Sequence, residues 1–95
     1  MFAVAVTFVV NPDTRDAFRD AVRKQAADSL RLETGCRQFD VCISPQRPDE
    51  IFLYEIYDSA AAFDEHLASS HFLSFDARVK PFVASKQVAT WTLLD

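Results

Sequence analysis

Residues 2–10 read Phe-Ala-Val-Ala-Val-Thr-Phe-Val-Val. β-branched and aromatic residues of this kind suit a strand. Both alternating sets are apolar, so this strand is covered on both of its faces, not on one. Asn11-Pro12-Asp13 follows immediately. Proline fits a first helical turn and Asn or Asp can cap one, so the strand leads through a turn into a helix.

That helix is predicted over about 13–33. Its inward stripe is Phe18, Ala21, Val22, Ala26 and Leu30, spaced at three and four residues. Arg15, Asp16, Arg19, Asp20, Arg23 and Lys24 form a solvated outer face. Asp16–Arg19, Asp20–Arg23 and Asp20–Lys24 are expected surface pairs, each worth a few tenths of a kcal/mol. Gly35, the one glycine of the chain, follows the helix and is expected in the left-handed conformation that ends it. A strand at about 36–44 sets Phe39, Val41 and Ile43 against Asp40, Cys42 and Ser44. Residues 45–49 form a loop by composition.

A third strand, about 50–57, sets Phe52, Tyr54 and Ile56 against Ile51, Leu53, Glu55 and Tyr57. Asp58 or Ser59 caps a second helix over about 59–69, with Phe63, His66, Leu67 and Ser70 as its stripe. A further helical stretch, about 71–79, turns Phe72, Phe75 and Val79 inward and ends before Pro81. The last strand, about 85–94, carries Val88, Thr90, Thr92 and Leu94 opposite Gln87, Ala89, Trp91 and Leu93.

The order β-α-β-β-α-β is the split pattern of the ferredoxin-like α+β fold, a four-stranded antiparallel sheet with helices on one face. At 95 residues the chain reads as a single domain, 1–95, large enough to need no metal or disulfide staple. The second sheet face is left uncovered while the strands look apolar on both sides. Soluble monomers rarely expose such a patch, so the expected state is a homodimer with two sheets packed face to face.

One glycine cannot build a dinucleotide fingerprint or a P-loop, which need several at fixed spacing. A formal charge of −4 argues against a nucleic-acid partner. The apolar run at the N-terminus lacks a basic lead and a cleavage site, and at about ten residues it is half a membrane span. Cys36 and Cys42, on one extended strand, stand about 20 Å apart at roughly 3.3 Å per residue. That is too far for a disulfide. Both read as reduced, buried small hydrophobes, and the protein as cytoplasmic with no membrane partner.

Few residues could carry chemistry. Glu55 stands among Tyr54, Ile56 and Tyr57. Turned inward, its pKa would rise and it could act as a base or anchor; turned to the rim, it is a structural carboxylate. His66 lies on the apolar side of its helix and is either a core histidine or a catalytic one. His71, five residues on, either links the two helical segments or joins the site. That step is not a same-face helical pair, so no metal site is expected. Phe39, Phe52, Tyr54, Phe63, Phe72, Phe75 and Trp91 are first of all core, with some available to wall a flat apolar pocket. No serine has a histidine and an acid at the spacing of a hydrolase.

Four short motifs go further. They are Glu33-Thr34-Gly35-Cys36-Arg37-Gln38-Phe39-Asp40-Val41, then Tyr54-Glu55-Ile56-Tyr57-Asp58, then Ala62-Phe63-Asp64-Glu65-His66, then Ser70-His71-Phe72. In this order and spacing the chain resembles the antibiotic biosynthesis monooxygenase family. The resemblance implies a dimeric α+β barrel of ferredoxin-like protomers with a pocket between sheet and helices. It also implies oxidation of a small aromatic substrate, quinol or phenolic, by dioxygen without metal, flavin or other cofactor.

Carried over by motif, Glu55, His66 and His71 are the catalytic candidates, with His66 as base and Glu55 orienting it. Phe39, Phe72, Phe75 and Tyr54 are the expected substrate-binding residues. Relatives that isomerise a phosphorylated dicarbonyl, the autoinducer-2 signal, imply an alternative. It would need a cationic phosphate site, for which Arg37, Arg78 and Lys80 are at hand without a phosphate motif. A non-catalytic small-ligand-binding dimer is a third possibility. Haem-degrading relatives use a tryptophan at a place far from Trp91, which disfavours haem.

Overall fold

The computed structural model describes residues 1–94. Strand β1 (Phe2–Val10) runs into a 3-10 turn at Pro12–Thr14 and then helix α1 (Arg15–Leu32). Strands β2 (Cys36–Ile43) and β3 (Glu50–Tyr57) follow, then α2 (Ala60–Ala68) and α3 (Ser70–Val79). A second 3-10 turn at Lys80–Phe82 leads into β4 (Val83–Thr92). The sheet order is β2-β3-β1-β4, with every neighbouring pair antiparallel. This is the ferredoxin-like α+β fold that the element order implied. Among the described residues no helix is long and apolar enough to cross a membrane.

Register decides what each strand buries. Val4, Val6 and Phe8 of β1 stand opposite Glu55, Leu53 and Ile51 of β3. These six side chains share the face packed by the helices, and all are at most 6% exposed. Phe18, Ala21, Val22 and Ala26 of α1 and Phe75 and Val79 of α3 complete the core. Each large apolar side chain so buried contributes about 1.5–3 kcal/mol. Phe18 sits with its ring centroid 5.0 Å from that of Phe8 and 6.2 Å from that of Phe75, joining β1, α1 and α3 at one point.

Several local expectations change. The inward stripe of α1 turns a little from the expected line: Leu30 is 47% exposed, while Gln25 and Ser29 are buried. Its outer charges choose other partners than Asp16–Arg19, Asp20–Arg23 and Asp20–Lys24. Asp28 takes Lys24 and Arg31, and Arg15 reaches Asp49, at 2.6 Å, in the loop before β3. Leu67 and Ser70 of the second stripe face outward, leaving His66 as the buried residue of α2. Cys36 and Cys42 are both free, but only Cys36 is buried. Phe52 and Trp91 are exposed because they lie on the sheet face away from the helices, not in the protomer core.

Gly35 does not adopt a left-handed conformation: no described glycine has positive φ. Its requirement is space. A Cβ there would lie 2.8 Å from Cβ of Ala62, so the chain leaving α1 can pass beneath the start of α2 only without a side chain. The Gly35 carbonyl accepts from the Asp58 N–H at 2.9 Å and holds that crossing.

Candidate active site

The break between α2 and α3 builds the centre of the site. Ser59 starts α2, its hydroxyl accepting from the Ala62 N–H at 3.1 Å. Ser69 ends α2 and starts α3 at once. Its Oγ donates to the His66 carbonyl at 2.7 Å and accepts from the Phe72 N–H at 3.2 Å. A continuous helix would carry His66 and His71 on different faces, as the five-residue spacing predicted. The break overrides that. Glu33, just past α1, places Oε2 2.8 Å from Nδ1 of His66 and 2.5 Å from Nε2 of His71.

The carboxylate accepts only, so Nδ1 of His66 carries its proton and donates to Glu33. That assigns the tautomer: Nε2 of His66 is the free, basic nitrogen. It stands 4.0 Å from Oε1 of Glu55, too far for a hydrogen bond. Glu33, not Glu55, therefore orients the ring. Phe63 stacks on His66 with an interplanar angle of 15°, and Tyr57 and Phe72 pack at centroid distances of 5.2 and 5.1 Å.

Glu55 is 3% exposed and faces the helices, not the rim. Burial pushes its carboxyl up to about 7, against the hydrogen bond from Tyr57 and the charge of Lys86. The Tyr57 hydroxyl donates to Oε1 at 2.5 Å. Burial likewise pushes His66 below its ordinary value, more than the Glu33 carboxylate raises it. A neutral imidazole and a carboxylate titrating near neutrality thus face each other, both side chains buried.

Both line a small cavity of about 40 Å³, walled by Phe39, Phe63, Phe72 and Phe75 and open on the side of Leu67, Lys86 and Val88. Lys86 of β4 stands at its edge, its ammonium 5.4 Å from the Phe8 ring centroid and 5.8 Å from that of Phe72. Of the sequence candidates, Glu55, His66, Phe39, Phe72 and Phe75 meet here. Tyr54 does not: it alternates to the other sheet face. His71 does not line this cavity: it shares the Glu33 carboxylate with His66, its ring meets that of His66 edge-on at 6.0 Å, and it lines an outer cleft of about 390 Å³ between α1 and α3. Glu33 stood in the first motif without a role; its partners are 33 and 38 residues away and nothing local marks them.

Glu33, His66 and His71 also offer three ligand atoms within 4.8 Å of one another, the donor set of a two-histidine, one-carboxylate metal centre. In the hydrogen-bonded arrangement these atoms already satisfy each other. Arg78 joins Lys24 and Arg31 along the outer cleft, whereas Arg37 pairs with Asp58 at 2.6 Å. Arg37, Arg78 and Lys80, the candidates for a phosphate site, all lie outside the lining of the inner cavity.

The profile of the family described as "Antibiotic biosynthesis monooxygenase" matches residues 1–78. The protein named "Putative monooxygenase Rv0793" from Mycobacterium tuberculosis is 39% identical over 77 residues, spanning 81% of this chain and 74% of that one. The solved structure of Rv0793 superposes with a TM-score of 0.90 at 34% identity, covering 99% of this chain and 95% of that one. The structure described as "Putative antibiotic biosynthesis monooxygenase from Nitrosomonas europaea" superposes with a TM-score of 0.94 at 27% identity, over 100% of both chains.

Proposed function

Because this chain belongs to the antibiotic biosynthesis monooxygenase family, we propose that it oxidises a small quinol or phenol with dioxygen, using its own side chains and no cofactor. The observation that carries this reading is the free Nε2 of His66 facing Glu55 across 4.0 Å in an aromatic-walled cavity. A substrate hydroxyl about 2.8 Å from each would fit that gap.

The substrate hydroxyl gives its proton to Nε2 of His66. The imidazolium so formed is held by the Glu33 carboxylate on Nδ1 and by the Glu55 carboxylate beside it, as a general base requires. The substrate anion transfers one electron to dioxygen, and the radical pair joins through a new bond between a ring carbon and oxygen. The peroxide takes the proton back from His66. Loss of that carbon's remaining hydrogen with hydroxide, together one water, breaks the O–O bond and leaves a carbonyl. One oxygen atom ends in product and one in water. The aromatic walls keep water from the anion.

A cavity of about 40 Å³ holds less than a benzene ring, which fits a cavity of about 150 Å³. Substrate therefore widens it, and the side that yields is the rim of Lys86, Val88 and Leu67, all exposed. The homodimer belongs to the same proposal. Phe52 and Trp91, 38% and 63% exposed, sit on the sheet face that a partner sheet would cover.

The deciding experiment is oxygen uptake with a panel of hydroquinones, wild type against His66→Ala, before and after dialysis against a chelator. Uptake lost by about 10²–10⁴-fold in the variant and unaffected by chelation is the expected result. No substrate-dependent uptake across the panel sinks the reading. Uptake lost on chelation and restored by a divalent metal would instead make Glu33, His66 and His71 a metal centre.

A further inference from the structure

The inward stripe of α1 carries a polar side chain that the fold leaves unused. Gln25 lies one turn beyond Ala21 and is 2% exposed, yet its Nε2 has no hydrogen-bond partner among the described residues. An amide buried in this way destabilises the fold, and leucine, of similar size, would avoid that cost. A buried donor of this kind is free to meet an acceptor from outside the fold, and Gln25 stands between two openings, lining the inner cavity with Glu55 and His66 and the outer cleft with His71 and Arg78. Ser29 Oγ and Arg19 Nε, likewise unpartnered, do not line the inner cavity.

The polar groups around the cavity divide by role. Glu55 and Nε2 of His66 accept protons. The donors are the Gln25 amide in the wall and the Lys86 ammonium at the exposed rim. A ring with one hydroxyl satisfies the accepting pair and leaves the Gln25 amide bare. A ring with a second oxygen can satisfy both ends at once. Sites built to hydrogen-bond a substrate oxygen reject analogues that lack it.

We propose that Gln25 is a specificity-determining residue whose amide N–H binds a second ring oxygen, so that the site selects aromatics carrying two oxygens, hydroquinones or hydroxyketones, over simple phenols. The inference rests on the aromatic-substrate reading of the cavity.

Anaerobic titration calorimetry tests it with 1,4-dihydroxynaphthalene against 1-naphthol, on wild type, Gln25→Leu and Gln25→Glu. Wild type should prefer the two-oxygen ligand by about tenfold, the effect of one ordinary hydrogen bond. Both variants should lose the preference while still binding 1-naphthol. Gln25→Leu should keep or raise the urea midpoint, because it removes an unpaired buried group. A preference that survives both substitutions, equal binding of the two ligands by wild type, or a lowered midpoint in Gln25→Leu overturns the role of Gln25 alone. Binding of neither ligand by wild type overturns the aromatic-substrate reading and this inference with it.

Discussion

Oε2 of Glu33 lies 2.8 Å from Nδ1 of His66, joining the end of α1 to the middle of α2. The same oxygen meets His71. One carboxylate thus sets the tautomer of the candidate base and ties together the two short helices that carry the histidines.

Removing that carboxylate should cost both activity and stability. Glu33→Ala leaves the Nδ1 proton of a buried imidazole without an acceptor, a loss of about 1–3 kcal/mol. Urea denaturation should show it as a lower midpoint. Glu33→Gln keeps an acceptor but no charge, so it should retain most of the stability while turnover falls by about 10–100-fold, since half the stabilisation of the imidazolium is gone. Equal turnover in Glu33→Gln and wild type would take Glu33 out of the mechanism.

The pH dependence follows from Glu55. Its folded-state pKa of about 7 exceeds the ordinary 4.5, so its protonated form favours the fold. That stabilisation is complete below pH 4.5 and is lost as pH rises through about 7, amounting to about 3 kcal/mol. His66 acts oppositely. Its pKa is lowered from 6.5, so its contribution is present above pH 6.5 and fades as pH falls through the lowered value. Glu55→Gln should be more stable than wild type at pH 8 relative to pH 5 in urea melts. Turnover of wild type should rise through pH 7, and Glu55→Gln should lose that rise.

Gly35→Ala tests the crossing beneath α2. Its new methyl would meet Cβ of Ala62 at 2.8 Å, an atom held against the helix backbone and unable to swing away. Overpacking of this kind costs about 1–3 kcal/mol. The expected result is a lower urea midpoint, with turnover reduced because the start of α2 shifts relative to Glu33. An unchanged midpoint would show that the helix gives way freely.

Trp91 tests the second sheet face. Sedimentation at micromolar concentration should give a homodimer for wild type, and Trp91→Glu should shift it toward monomer by placing a charge in an apolar contact. A wild-type monomer would refute the face-to-face arrangement.

Much of the architecture follows from pattern alone. The β-branched run at 2–10, the i, i+3, i+4 stripe after Asn11-Pro12 and the alternation at 50–57 each state a period, and period assigns element type. The element order then leaves the ferredoxin-like sheet. These signals are local, carried by neighbours within one or two turns, and the family motifs share that property. Glu33, Glu55, His66 and His71 all stand inside them.

Contacts between elements decided the rest. Whether Glu55 points inward depends on the register that sets it opposite Val4, and a slip of one residue would reverse it. His66 and His71 meet one carboxylate because Ser69 interrupts the helix between them, a capping choice that outweighs the 3.6-residue period. Gly35 answers to Ala62, 27 residues away, and not to the end of its own helix. Gln25 is set apart only by the burial of its amide without a partner among the described residues. The sequence determined which residues face a core and which family the chain resembles. Only the tertiary structure determined which polar side chains meet inside it, because those distances are set by packing between elements far apart along the chain.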